Sequence, residues 1–226
     1  SSIKVNGEGF LSNDNFYSKN SEEKPEDAYG NTKLEAENLL KKYSTTKKIN
    51  YVILRPPLVY GAGVKGNLSS LMNYIDKGVP MPVINTANMR SLISVNNLVN
   101  ALITVGFNNK IINKTYLVSD DNPIRVEDLY KIIAKIMNKK IFIVKLPKFF
   151  LKILLLPIGK SKLVNKISAS LIVDNKEIKN DMSFEKARKF ARTLELTNRD
   201  QWKQYCYSDK RPDDIPLVFV RTYKKD

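Results

Sequence analysis

The sequence predicts an α/β protein built around a largely parallel sheet, and three observations carry that reading. Short apolar runs such as Tyr51-Val-Ile-Leu54, Thr115-Tyr-Leu-Val-Ser119 and Ile141-Phe-Ile-Val144 have the length of buried strands. Amphipathic stretches of helical length lie between them. The two kinds of segment alternate along the chain, as strand–helix–strand units do.

Residues 8 to 28 are polar and read as a loop. A helix is expected from about Glu26 to Tyr43, with Leu34, Ala36, Leu39 and Leu40 as its buried stripe. Residues 51–54 form a strand that Arg55-Pro-Pro57 ends, and Gly61-Ala-Gly63 with Gly66 makes a loop before a helix at about 68–77. Ser91-Leu-Ile-Ser-Val95 reads as a strand, with Asn96 capping a helix that runs to about Val105. Residues 115–119 form the next strand, 126–137 a strongly amphipathic helix, 141–144 a strand and 171–173 a last short one. Lys148 to Leu156 reads either as a helix packed inside or as one lying on a membrane surface, and we favour the packed reading. The character changes near Met182. From Ser183 the chain is charged and helical, and it carries the sole tryptophan, Trp202, and the sole cysteine, Cys206.

Composition closes several routes. With no histidine there is no Ser-His-Asp or Cys-His catalysis and no histidine-ligated metal, and one cysteine excludes internal disulfides and multi-cysteine zinc sites. A single cysteine fits a reducing cytoplasm. The opening residues Ser1-Ser-Ile-Lys-Val5 read as the end of a strand cut from something longer, not as a secretory signal. The longest apolar stretch, Phe149 to Ile158, is broken by Lys152 and Pro157 and falls short of the roughly 20 residues a span requires. The net charge of +15 is spread along the chain, and general lysine abundance accounts for it better than a nucleic-acid site does.

One pattern carries chemistry. Tyr29 and Lys33, in Asp27-Ala-Tyr-Gly-Asn-Thr-Lys33, fall on one helical face. An ammonium beside a phenol stabilises the phenolate, a base suited to a sugar or alcohol hydroxyl. Tyr43 and Lys47 repeat the spacing, so the surroundings must decide. Those surroundings are Ser1-Ser-Ile-Lys-Val-Asn-Gly7 upstream, Pro25-Glu-Asp27 at the helix start, Arg55-Pro-Pro-Leu-Val-Tyr-Gly61 after the next strand and Met89-Arg-Ser-Leu-Ile-Ser-Val-Asn-Asn-Leu98 beyond.

Together these motifs resemble the extended short-chain dehydrogenase/reductase family, in particular the NAD-dependent nucleotide-sugar epimerases and dehydratases, of the UDP-glucose and UDP-N-acetylglucosamine 4-epimerase kind. The resemblance runs from Ser1 to about Met182 and gives two parts, 1–182 and 183–226. It implies an incomplete Rossmann-like, doubly wound parallel sheet, a small substrate-binding subdomain and a short helical C-terminal appendage. Its cofactor would be NAD, its substrate a UDP-sugar, with a homodimer possible and no membrane partner. Ser2 matches the catalytic serine or threonine, Tyr29 the acid/base tyrosine, and Lys33 the lysine that binds the nicotinamide ribose. Pro56 and Pro57 fall on the segment passing the nicotinamide. Asn67 and Arg90 match positions that bind UDP, Arg90 at the phosphates. From the residues alone, Asn67 reads equally as a helix cap and Arg90 also as a surface arginine.

Two departures stand out. Leu58 occupies a position where many epimerases have asparagine. The Gly-x-x-Gly-x-x-Gly loop that cradles a pyrophosphate is not in this sequence. The chain is therefore expected to lack roughly the first 110 residues of such a domain, to hold cofactor very weakly, and to bury an open sheet edge or be poorly soluble. Residues 183–226 resemble a short repeat found beside phage-type integrases. They read as a small helical pair packing on itself or as a basic module for nucleic acid. A non-functional gene fusion is the remaining alternative.

Overall fold

The computed structural model describes residues 1–10, 15–63, 66–84, 88–106, 112–145, 147, 149 and 168–181. Three of its four strand pairs are parallel. They join β1 (Val52–Arg55) to β6 (Lys114–Leu117), β2 (Leu58–Tyr60) to β5 (Leu92–Ser94), and β3 (Met81–Val83) to β8 (Ile143–Lys145). The fourth joins β4 (Met89–Arg90) to β7 (Ile124–Arg125) antiparallel. Helices α1 (Ala28–Lys47), α2 (Asn67–Asp76), α3 (Val95–Gly106), α4 (Val126–Ile136) and α5 (Lys176–Asp181) complete the order. The expected alternation and parallel pairing are present. The helix expected at 148–156 and the appendage from 183 onwards lie outside the described residues.

Three apolar clusters hold these elements. Leu54, Ile93, Ala101, Tyr116, Val118 and Ile178 fill the first, between α3, α5 and the parallel strands. Ile3, Tyr17, Leu117, Leu171 and Val173 form the second. Leu68, Ile75, Met81, Ile133 and Ala134 form a third between α2, α4 and β3.

Residues 168–174 stitch the second cluster together. Leu171 bridges Arg90, Ser170 bridges Phe10 and Val173 bridges Tyr17. The strand expected at 171–173 is thus a thread of single bridges. Hydroxyls reinforce it, since Met89 N donates to Ser170 Oγ and Val173 N donates to Ser91 Oγ, each at 3.0 Å.

Three local expectations are corrected. Ser1 to Val5 does not continue as a strand. Ser2 alone is extended, and Ile3–Val5 turns as a 3-10 helix capped by the Ser2 side chain. The helix cap expected at Asn96 is Ser94 instead, whose Oγ accepts from Asn97 N at 3.0 Å while α3 already begins at Val95. Ser94 ends the strand with its hydroxyl free to turn back, so it satisfies the first turn.

The third correction is the largest. The buried row of α1 is Gly30, Glu37 and Ser44, whereas Ala36, Leu39 and Leu40 are exposed and Leu34 is half-buried. The row recurs every seven residues, which is two helical turns. Its inward carboxylate belongs to a buried ion pair, and that pair fixes the rotation of the helix against its apolar pattern.

Gly30 sits where this helix meets the 3-10 turn. A β-carbon there would lie 2.6 Å from the Lys4 carbonyl oxygen and 3.0 Å from Pro25 Cβ. A backbone oxygen has little room to yield, so Gly30→Ala should force the helix and turn apart. We expect it to lower stability by about 1–3 kcal/mol, the usual cost of overpacking, as read from urea unfolding. An unchanged midpoint would show that the contact is loose.

Candidate functional site

The site is built where the 3-10 turn, α1 and the end of β1 meet. Asp27 opens α1, and its Oδ1 accepts from Gly30 N at 2.7 Å. Its Oδ2 takes the Lys4 ammonium at 2.8 Å, and the same ammonium holds Glu8 at 2.9 Å. The cap of the helix that carries Tyr29 is thereby tied to the turn that follows Ser2.

Arg55, at the end of β1, is the second tie. It is 4% exposed and reaches three segments at once. Nε and Nη2 donate to the two Glu37 carboxylate oxygens at 2.9 and 2.6 Å. Nη1 donates to Asn6 Oδ1 at 3.0 Å, and Nη2 also reaches Glu23 at 2.5 Å. Ser1 Oγ donates to Glu37 at 2.5 Å. Burial disfavours ionisation of Glu37, but the hydrogen bonds from Arg55 and Ser1, together with the Arg55 and Lys41 charges, outweigh it, and the carboxyl lies below its ordinary range. Burial likewise opposes the Arg55 charge, and the bonds to Glu37 and Glu23 more than restore it.

These ties place the sequence-predicted residues. Tyr29 and Lys33 occupy the first two turns of α1, with Tyr29 52% exposed. The Lys33 ammonium lies 5.3 Å from the centre of the Tyr29 ring. The four-residue spacing therefore does bring the two groups together, with the cation over the ring. Ser2 is half-buried, its Oγ accepts from Lys4 N at 3.3 Å, and its proton remains to donate elsewhere. The Pro56 carbonyl accepts from Ile3 N at 3.0 Å, so the segment after β1 runs beside the residue next to Ser2. Pro57 is buried. Tyr43 and Lys47 lie near the exposed far end of the same helix.

The two other predicted residues sit elsewhere. Asn67 is the exposed first residue of α2, with Gly66 at the cap position, so it is not the cap. Arg90 lies on β4, and burial draws its guanidinium down from its ordinary range against the pull of Tyr130, Glu8 and Tyr17. Glu8 thus faces both Lys4 and Arg90.

Sequence reasoning missed Arg55, Glu37, Asn6 and Lys4 as organising residues. One signal was available. Arg55 is a lone charge at the end of an apolar run, where only a paired charge is tolerated. Glu37, one turn beyond Lys33, is its natural partner. Among the described residues no group of acidic or cysteine side chains is arranged to hold a metal.

The chemistry available here is proton transfer at a hydroxyl, by an exposed phenol with an ammonium and a serine hydroxyl on neighbouring elements. Residues 1–118 match the NAD dependent epimerase/dehydratase family. The UDP-glucose 4-epimerase of Vibrio cholerae is 38% identical over 175 residues, 77% of this chain and 53% of that protein. The UDP-Glc/GlcNAc 4-epimerase of Campylobacter jejuni superposes with a TM-score of 0.61 at 17% identity, over 81% of this chain and 57% of that one. The UDP-glucuronic acid 4-epimerase of Bacillus cereus, solved with NAD, gives 0.60 at 18% identity, over 80% and 52%. The two structures show the shared fold. The chain spans about half the length of the relatives it matches.

The Asp27 cap predicts a pH dependence. The Lys4 hydrogen bond, followed by that from Gly30 N, holds its carboxyl well below the ordinary range. A lowered folded-state pKa adds stability that is full above the unfolded value of about 4 and is lost as pH falls through the folded one. Urea unfolding from pH 7 to pH 3 should therefore weaken more steeply in the wild type than in Asp27→Asn. Parallel curves would mean that the cap carries no such linkage.

Proposed function

The chain belongs to the NAD dependent epimerase/dehydratase family, and from that premise we propose that it is the catalytic and substrate-binding part of a nucleotide-sugar 4-epimerase or related C4 oxidoreductase acting on a UDP-hexose. The observation that carries this reading is the junction at Gly30. There the Ser2 turn, the Tyr29–Lys33 helix and the Pro56 segment are locked to one another by Asp27, Lys4 and Arg55.

Tyr29 takes the proton of the sugar 4-hydroxyl, and Ser2 donates a hydrogen bond to the same oxygen. Lys33 would hold the nicotinamide ribose, and it places positive charge over the Tyr29 ring. Pro56 and Pro57 form the wall along which the nicotinamide end would lie. Arg90 pairs with the diphosphate and Asn67 contacts the uridine end. NAD, if held there, would supply the hydride-transfer chemistry at C4. The residues present suit the nicotinamide and its ribose. The 226 residues contain no glycine-rich loop for the pyrophosphate, so we expect the chain by itself to retain little cofactor and to turn over little substrate. Residues 183–226 form, on this reading, a separate appendage.

The test joins these residues to the part of the Vibrio cholerae relative that they do not match and follows interconversion of UDP-glucose and UDP-galactose. We expect turnover that Tyr29→Phe lowers by about 10²–10⁴-fold, the range for loss of a general acid/base. Activity that survives Tyr29→Phe would overturn the assignment.

A further inference from the structure

The region formed by α2, α4, β3 and β8 has a pole that the proposed reaction does not use. Both helices end there, and both strands begin there. After α2 the chain turns at Gly78, with Val79 N donating to Tyr74 O at 3.0 Å. After α4 it turns at Asn138, with Lys139 N donating to Ala134 O at 2.9 Å. Met81 N then donates to Phe142 O at 2.8 Å as β3 and β8 start side by side. The Lys139–Asp76 ion pair, at 2.8 Å, joins the two helix ends. Arg90 lies beyond the opposite end of β3.

The side chains at this pole are unusual for a solvated surface. Ile136 is 78% exposed and Phe142 67%, with Tyr74, Val79 and Ile132 exposed around them. Lys77, Lys135, Lys139 and Lys140 are exposed among them, and Asp76, already paired, is the acid at the helix ends. Ile132, Lys135 and Ile136 share one face of α4, and Lys139 follows just beyond its end. Lysines near helix C-termini complement the dipole, which accounts for the charges. It does not account for bulky apolar groups projecting between them.

We propose that this pole docks on an anionic lipid surface, with Ile136 and Phe142 entering the headgroup boundary and the lysines meeting lipid phosphates. Apolar groups inside a lysine ring match both parts of such a surface. Nucleic acid would satisfy the lysines and leave the aliphatic groups in water. A second copy would oppose four lysines with four. No helix among the described residues is long and apolar enough to cross a membrane.

Cosedimentation of the full chain with phosphatidylcholine vesicles, with and without about 30% phosphatidylglycerol, tests this. We expect binding that requires the anionic lipid, falls with salt, and drops about tenfold or more in Ile136→Ser/Phe142→Ser. Both positions are exposed, and circular dichroism verifies the fold. Leu39→Ser/Tyr43→Ser, on the exposed face of α1, should bind as the wild type does. Failure to bind anionic vesicles, or equal loss in both double variants, overturns the proposal. So does binding to duplex RNA that resists salt better than lipid binding and is lost in the same pole variant.

Discussion

A buried guanidinium organises this protein. Arg55 ends a core strand where few charges are tolerated, and its five N–H groups demand partners on every side. Glu37, Glu23 and Asn6 supply them from a helix, a loop and a turn that are distant in sequence. Removing one member of such a buried pair costs about 3–5 kcal/mol, because the other charge is stranded. The two elements that bear Ser2 and Tyr29 are therefore tied to β1 through one side chain, beside the burial of Ile3 and Val5 in the same turn.

That demand explains the orientation of α1. Its apolar residues do not form the inward face. Glu37 must reach Arg55, Gly30 must admit the Lys4 carbonyl, and Ser44 donates to the Ile49 carbonyl at 2.5 Å, so those three define the buried row. Leu39, 61% exposed, and Tyr43 are carried outward as a result. Tyr29 and Lys33 lie beside the row, with the Lys33 ammonium over the Tyr29 ring and Tyr29 open to solvent. The second tie, Lys4 with Asp27, fixes the first turn of the same helix, so rotation and end point are set independently.

Much of this was legible in the sequence. The helix start was marked by Asp27, the strand by an apolar run stopped at Pro56, and the Tyr29–Lys33 contact by a four-residue spacing. What was not legible depended on long-range pairing. Periodicity marks which residues share a face but not which face a buried ion pair will turn inward. The strands β2, β3 and β7 are two or three residues long and carry too little pattern to stand out. Ser1 to Val5 read as a strand end, and Ser2 itself is extended, but the chain turns at Ile3. That turn is set by the Ser2 side chain and by contact with α1. Arg90 was recognised as chemically significant, whereas its burial beside Tyr130 and Tyr17 follows from strand pairing that no local pattern announces.

The central claim, that the Glu37–Arg55 pair holds the Ser2 turn and the Tyr29 helix in one arrangement, is tested most directly by a double-mutant cycle in urea unfolding. The account predicts that Glu37→Leu and Arg55→Met each lose about 3–5 kcal/mol, and that the double variant loses far less than their sum. Losses that add to within about 0.5 kcal/mol would show that the two residues act independently, and would contradict the account.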